Sequence, residues 1–214
     1  MQQELFNLER YAQIEEETKY YKSQRRREAL EEVRDILKEV KKKSNSYGTY
    51  RPAMLEWALW RFGLAVNSIE GSIAETRGFN VDADFNPINH AAPNRPDMNF
   101  RYPDGDALVV EGTLLASARQ VAAEGEPVRR HVAVYKARNR GHNVRALFIA
   151  PSIDPNTYNE FYRGEYEIDD VDYSTEIVPL TIDDICYLIE KMLAEERIID
   201  HSGLLRILDA SHRS

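Results

Sequence analysis

Leu30, Val33, Leu37 and Val40 recur at three- and four-residue intervals, which predicts a helix with one apolar stripe. The surrounding stretch, residues 3–43, is otherwise rich in Glu, Lys and Arg and reads as one or two exposed helices. Its basic clusters, Arg25-Arg26-Arg27 and Lys41-Lys42-Lys43, suit a solvated helix face more than a nucleic-acid surface. The turn-forming run SNSYGT at 44–49 divides an N-terminal helical arm, residues 1–49, from a compact domain, residues 50–214.

The pattern then changes. RPAMLEWALWRFGLAVNSI is apolar on nearly every face, as a buried helix is, and Pro52 suits its first turn. It is expected to run to about Ile69. Glu56 and Arg61 are its only internal charges. A buried carboxylate is costly unless it is paired or holds a cation. That leaves Glu56 either a salt-bridge partner or part of a site. Gly71 to Pro96 reads as a long irregular loop, which inside a compact domain is often functional.

Two short apolar runs follow, Asp97–Tyr102 and Asp106–Thr113, around an Asp104-Gly105 turn, and predict a β-hairpin. Val121–Ala137 is helical in pattern, with Pro127 expected near the helix start. From there Val128, His131 and Tyr135 share a stripe, and Glu124 joins it only if the helix extends back past the proline. VRALFIA at 144–150 predicts a central strand, and Asp154–Tyr162 a short helix. IVPL at 177–180 predicts a strand near an edge because of Pro179. Thr181 with Asp184 resembles a capping box, opening a helix to about Glu196, and Ser202–Ala210 closes the chain as a further helix.

Composition narrows the function classes. The chain has 214 residues, of which 43% are hydrophobic, enough to bury a core. No apolar run approaches the ~18 residues of a membrane helix. The polar, acidic N-terminus is unlike a signal peptide. A lone Cys186 excludes an internal disulfide framework and a cysteine-based zinc site. These features fit a cytoplasmic protein. The net charge of −8 is unlike a protein that grips DNA unaided, since phosphate contacts supply most non-specific affinity. DNA affinity would then come from a local basic face or from a partner.

The order helix, strand, strand, helix, strand, with Pro96-Asp97 at one strand and VVEGT at the end of the next, resembles the PD-(D/E)xK nuclease core. That core uses two carboxylates for Mg2+ and a lysine two residues beyond the Glu; here position 113 is Thr. The segments RPAMLEWA, RPDM, LVVEGTLLASARQ, AAEGEPVRRHVAVY, LFIAPSID and IVPLTIDD, in this order, resemble the AlwI-type restriction endonuclease family from about Tyr50 to Leu193. The resemblance implies an α/β fold: a restriction-endonuclease-like core, a mixed β-sheet flanked by helices, with the helical arm in front. It implies Mg2+-dependent hydrolysis of a DNA phosphodiester that leaves a 5'-phosphate, with Mn2+ as a substitute ion.

The catalytic set it implies falls on Glu56, Asp97, Glu111, Glu124 and His131. Asp97, Glu111 and the Gly112 carbonyl are the expected metal ligands, since Mg2+ prefers oxygen donors. With Thr at position 113, Glu124 or His131 must orient the attacking water, with Tyr135 and Lys136 behind them. Arg119, Gln120, Arg129 and Arg130 are the expected DNA-backbone contacts, against a competing reading as partners of Glu124 and Glu126. His90, His142, His201 and His212 read as ordinary. Only about 50 residues precede the resemblance, so double-stranded DNA is expected to be recognised with a larger recognition subunit or domain. Whether the chain also dimerises on DNA is open from charge patterning. A repair or phage-defence nuclease of the same core and a non-catalytic assembly subunit are the alternatives.

Overall fold

The computed structural model describes residues 2–66, 68–116, 119–162 and 164–213, without the side chains of 2–6, 9 and 211–213. Four strands form one mixed sheet: β1 (Met98–Arg101), β2 (Asp106–Gly112), β3 (Asn143–Ala150) and β6 (Ile177–Thr181), in the order β1-β2-β3-β6. The β1–β2 hairpin is antiparallel, with Met98 opposite Val110, while β2–β3 and β3–β6 are parallel. The crossover from β2 to β3 is α4 (Arg119–Arg138), as parallel neighbours require.

Strand parity separates two cores. Leu108, Val110, Leu147 and Ile149 point to the face covered by α2 (Arg27–Lys41), α3 (Arg51–Ala65), α6 (Ile182–Ala194) and α7 (His201–Arg213). Ala107, Val109, Ala146 and Phe148 point to the face covered by α4 and α5 (Pro155–Tyr162). Successive strand residues alternate faces. Glu111 therefore follows Ala107 and Val109 toward α4. Extending the β1–β2 register by one pair sets Asp97 opposite it. The sequence of alternating residues thus decides where the carboxyls go.

Several elements match the sequence reading. The hairpin turns at Asp104-Gly105, with Gly105 at φ 86°, a value that favours glycine. The Thr181 hydroxyl accepts from the Asp184 N–H and the Asp184 carboxylate accepts from the Thr181 N–H, a complete capping box. β3 is interior and β6, with Pro179, is an edge strand. Among the described residues no helix is long and apolar enough to cross a membrane.

Other elements differ. Only one face of α2 is exposed; Leu30, Val33, Ile36, Leu37 and Val40 on the other are part of the main core. Its basic residues mostly meet acidic partners: Lys38 meets Glu190 and Lys41 meets Asp183, both on α6. α3 stops at Ala65, short of Ile69. The helix around Pro127 begins eight residues earlier, at Arg119, and runs through the proline. The carbonyl that Pro127 leaves without an amide donor belongs to Ala123, which is exposed and open to water. A two-stranded ribbon, β4 (Glu165–Ile168) and β5 (Val171–Ser174), has no counterpart in the sequence reading. Its acidic residues are poor strand formers, and its turn residues Asp169 and Asp170 both take positive φ. His201 is less ordinary than its spacing implied: its ring stacks on Tyr102 at 4.3 Å and its Nε2 lies 2.6 Å from Asp104 Oδ2. The side chain of His212 lies outside the described residues.

Gly63 on α3 marks a close approach. A Cβ there would sit 2.2 Å from Cζ of Phe100, a fully buried ring in the main core. Gly63→Ala is therefore expected to destabilise the fold by roughly 2–3 kcal/mol, as overpacking does, and denaturant melts would show it.

Candidate active site

A cavity of about 200 Å³ opens at the C-terminal end of β2. Its walls include Glu56, Asp97, Glu111, Gly112, Thr113, Glu124 and His131. Four separated segments deliver these groups. Asp97 enters just ahead of β1, and Glu111 and Gly112 end β2. Glu124 and His131, seven residues apart, lie two turns apart on α4, a placement that depends on the helix continuing through Pro127. Glu56 reaches the cavity from α3, across the sheet end. Gly112 makes room for that approach: a Cβ there would lie 2.9 Å from Leu59 Cδ1.

The hydrogen bonds fix the groups in place. Gly112 N–H donates to Asp97 Oδ2 at 2.8 Å. Asp97 and Glu111 lie side by side in the cavity wall, as the hairpin register sets them. His131 Nδ1 lies 2.9 Å from Glu111 Oε1. Thr113 Oγ1 donates to Glu124 Oε1 at 2.7 Å. Glu56 Oε2 accepts from the Ala91 N–H at 2.6 Å, which ties the Gly71–Pro96 loop to α3. His131 Nε2 is buried and has no hydrogen-bond partner among the described residues.

The electrostatics are lopsided. Burial pushes the Asp97 carboxyl well above the usual range, and the Glu111 charge adds to it. Burial likewise raises Glu111, helped by the charges of Glu124 and Glu56. Glu56 is pushed up to about 8, first by burial and then by Asp97. His131 is lowered by burial and then by the Arg130 guanidinium, so its ring is neutral at physiological pH. Arg95 is the one Lys or Arg in the cavity wall. It is exposed, and its guanidinium donates to the Arg77 carbonyl. All three carboxyls are raised first by burial, and each also feels the negative charge of a neighbouring carboxyl.

This donor set fits a hard divalent cation. Mg2+ is usually held by one or two carboxylates together with waters and substrate phosphate. Asp97 and Glu111 are the adjacent pair here, both oxygen donors. Among the described residues no three His, Cys, Asp or Glu side chains already stand in coordinating geometry. A cation here would complete its shell with water and phosphate oxygens.

The arginine lip expected from the sequence is only partly present. Gln120 is corrected outright: it is fully buried, so it cannot touch a DNA backbone. Its amide donates to the Leu115 and Ser152 carbonyls and accepts from the Asp154 N–H, pinning the loops after β2 and β3. Arg129 pairs with Glu160 at 2.8 Å and also donates to the Gly125 and Glu165 carbonyls. Arg130 bonds Glu126 and Asn94. Arg119 is exposed at the start of α4. Lys136 is directed away from the cavity, its ammonium on the Ser174 carbonyl, and Tyr135 donates to Asn99. Spacing did not reveal Thr113, His90 or Arg95 as cavity residues; His90 lines it next to the Ala91 amide.

The chain matches the profile of the AlwI restriction endonuclease family over residues 3–188. It belongs to the AlwI restriction endonuclease family. The match begins within α1 (Gln2–Ser23), so the family pattern takes in the N-terminal helices as well as the sheet. The fold agrees with that of a solved structure, the small subunit of the heterodimeric restriction endonuclease R.BspD6I. The two superpose with a TM-score of 0.69 at 24% identity, over 86% of this chain and 89% of that one. No curated protein matches the sequence. The five residues that the family resemblance singled out, Glu56, Asp97, Glu111, Glu124 and His131, all line the cavity.

Proposed function

We propose that this member of the AlwI family is a Mg2+-dependent DNA endonuclease subunit that hydrolyses one phosphodiester per copy and leaves a 5'-phosphate. The observation that carries this reading is the Glu111–His131 dyad. Glu111 Oε1 accepts from the imidazole while its carboxyl stands beside Asp97, and Nε2 is buried without a partner among the described residues. A carboxylate on Nδ1 keeps the proton there and leaves the Nε2 lone pair free.

Asp97 and Glu111 would hold the cation, with the Gly112 carbonyl as a further oxygen. When bound, the ion polarises the scissile phosphate and neutralises developing charge. The residues of the chain do the rest. Asp97, oriented by the Gly112 N–H, fixes one side of the phosphate site. His131, neutral and held by Glu111, accepts a proton at Nε2 from the attacking water as the new P–O bond forms. The bond to the 3'-oxygen breaks, the leaving 3'-oxyanion takes a proton from solvent water, and a 3'-hydroxyl and a 5'-phosphate are released. Glu124, held by Thr113, orients that water from the opposite side. Glu56 braces the Ala91 loop at the rim.

The solved relative is one subunit of a heterodimer, and this chain carries a net charge of −8 with few uncommitted arginines at the cavity. Both support a larger partner that supplies recognition of double-stranded DNA. The test is nicking of supercoiled plasmid by the assembled enzyme. His131→Gln should slow cleavage by roughly 10²–10⁴-fold, the range of a lost general base, with Mn2+ binding by the chain intact. Cleavage at the unmodified rate would remove the proton acceptor from this scheme.

A further inference from the structure

We infer that Thr113 is a positioning residue that sets the place of Glu124 against the Asp97–Glu111 pair; the inference rests on the nuclease reading of this cavity. Three bonds make Thr113 rigid. Its N–H donates to the Ile149 carbonyl at 2.9 Å, continuing the β2–β3 ladder one residue past the strand. Its hydroxyl oxygen accepts from the Leu115 N–H at 3.2 Å. With that N–H on the oxygen, the hydroxyl proton is directed to Glu124 Oε1 at 2.7 Å.

Glu124 needs such an anchor. It stands in the stretch of α4 before Pro127, where the helix lacks one internal hydrogen bond, and it is only half-buried. A glutamate has three side-chain torsions, and a half-buried one is drawn toward solvent unless a partner holds it. The Thr113 hydroxyl ties it to the sheet that also carries Glu111, two residues away in the chain. The charge of Glu124 is felt at both Asp97 and Glu111, so its position matters to both. The hydroxyl touches no reacting atom in this scheme and acts through the carboxylate alone.

The test uses Thr113→Val, which keeps the shape and loses the hydroxyl, Thr113→Ser, which keeps it, and Glu124→Gln. Cleavage by the assembled enzyme is measured alongside Mn2+ titration calorimetry and melting of the chain alone. Thr113→Val should slow cleavage by about 10-fold or more, in the range of a lost orienting contact, while Thr113→Ser stays within about 3-fold. In the Glu124→Gln background Thr113→Val should add nothing, because residues that act as a unit are not additive. Thr113→Val should also weaken Mn2+ binding in the same direction and by a similar factor as Glu124→Gln.

Should Thr113→Val melt early, Thr113→Ala serves as the second hydroxyl-free variant, and the same cycle with Glu124→Gln is read from it. Full-rate cleavage by the hydroxyl-free variants beside a slow Glu124→Gln overturns the positioning role and leaves the nuclease reading standing. Multiplicative effects in the cycle overturn it too. A Glu124→Gln chain that cleaves and binds Mn2+ normally removes the role of Glu124, and Thr113 then has nothing to position.

Discussion

In the proposed enzyme Glu111→Ala abolishes DNA cleavage, with a loss of at least roughly 10³-fold, while the chain still folds. Glu111 serves two groups at once: one oxygen holds His131 Nδ1 at 2.9 Å, and its carboxyl borders Asp97. Its loss removes a proposed metal ligand and lets the imidazole turn. Both consequences act on the same step, so the effect exceeds that of either alone and resembles removal of a whole catalytic unit. Folding should survive. Burial holds the Glu111 carboxyl well above its ordinary range, so an uncharged residue relieves a cost rather than creating one. Unchanged cleavage would assign the chain to assembly and the chemistry to another subunit.

The second large effect is a dependence of stability on pH that a divalent cation reverses. Asp97, Glu111 and Glu56 all have folded-state carboxyls raised above their unfolded values, Glu56 to about 8. A raised carboxyl stabilises the fold fully below its unfolded value, and the contribution is lost as pH rises through the folded one. His131 runs the other way: its folded value is lowered, so it gains stability up to its ordinary value of 6.5. Between pH 6.5 and pH 8 the histidine is silent and the carboxyls dominate.

With chelator present, Glu56 alone costs about 2 kcal/mol across that window, and Asp97 and Glu111 act in the same direction. The melting temperature should fall by on the order of 5 °C or more. Added Mg2+ or Mn2+ should restore it, and should raise it more at pH 8 than at pH 6.5, because the cation competes with protons. Glu56→Gln should flatten part of the slope and gain stability at pH 8 in chelator. A melting temperature that is level across the window, with or without the cation, would mean that these carboxyls are not crowded together in solution.

The frame of this site was legible in the sequence where its causes are local. The hairpin turn, the capping box at Thr181 and the edge position of Pro179 follow from neighbours a few residues away. The family pattern then named five of the residues that line the cavity. What escaped notice depends on contacts far apart in the chain. The Ala91 amide meets Glu56 across 35 residues, and nothing near Ala91 announces it. Arg119, Gln120, Arg129 and Arg130 look alike as polar residues near acidic ones. Burial alone separates Gln120, which braces two loops, from the arginines on the surface. Pro127 is a helix breaker by rule, yet α4 passes through it, and Ala123, whose carbonyl it leaves without a donor, is an exposed residue. The β4–β5 ribbon is too acidic to read as strand and forms through its left-handed Asp169-Asp170 turn.

Calorimetric titration of the chain with Mn2+ at pH 8 tests the central claim most directly: that Asp97 and Glu111 together grip one divalent cation. Saturable binding in the wild type that disappears in Asp97→Asn and in Glu111→Gln is the predicted result. Binding of the same strength in all three proteins, or none in the wild type, would contradict it.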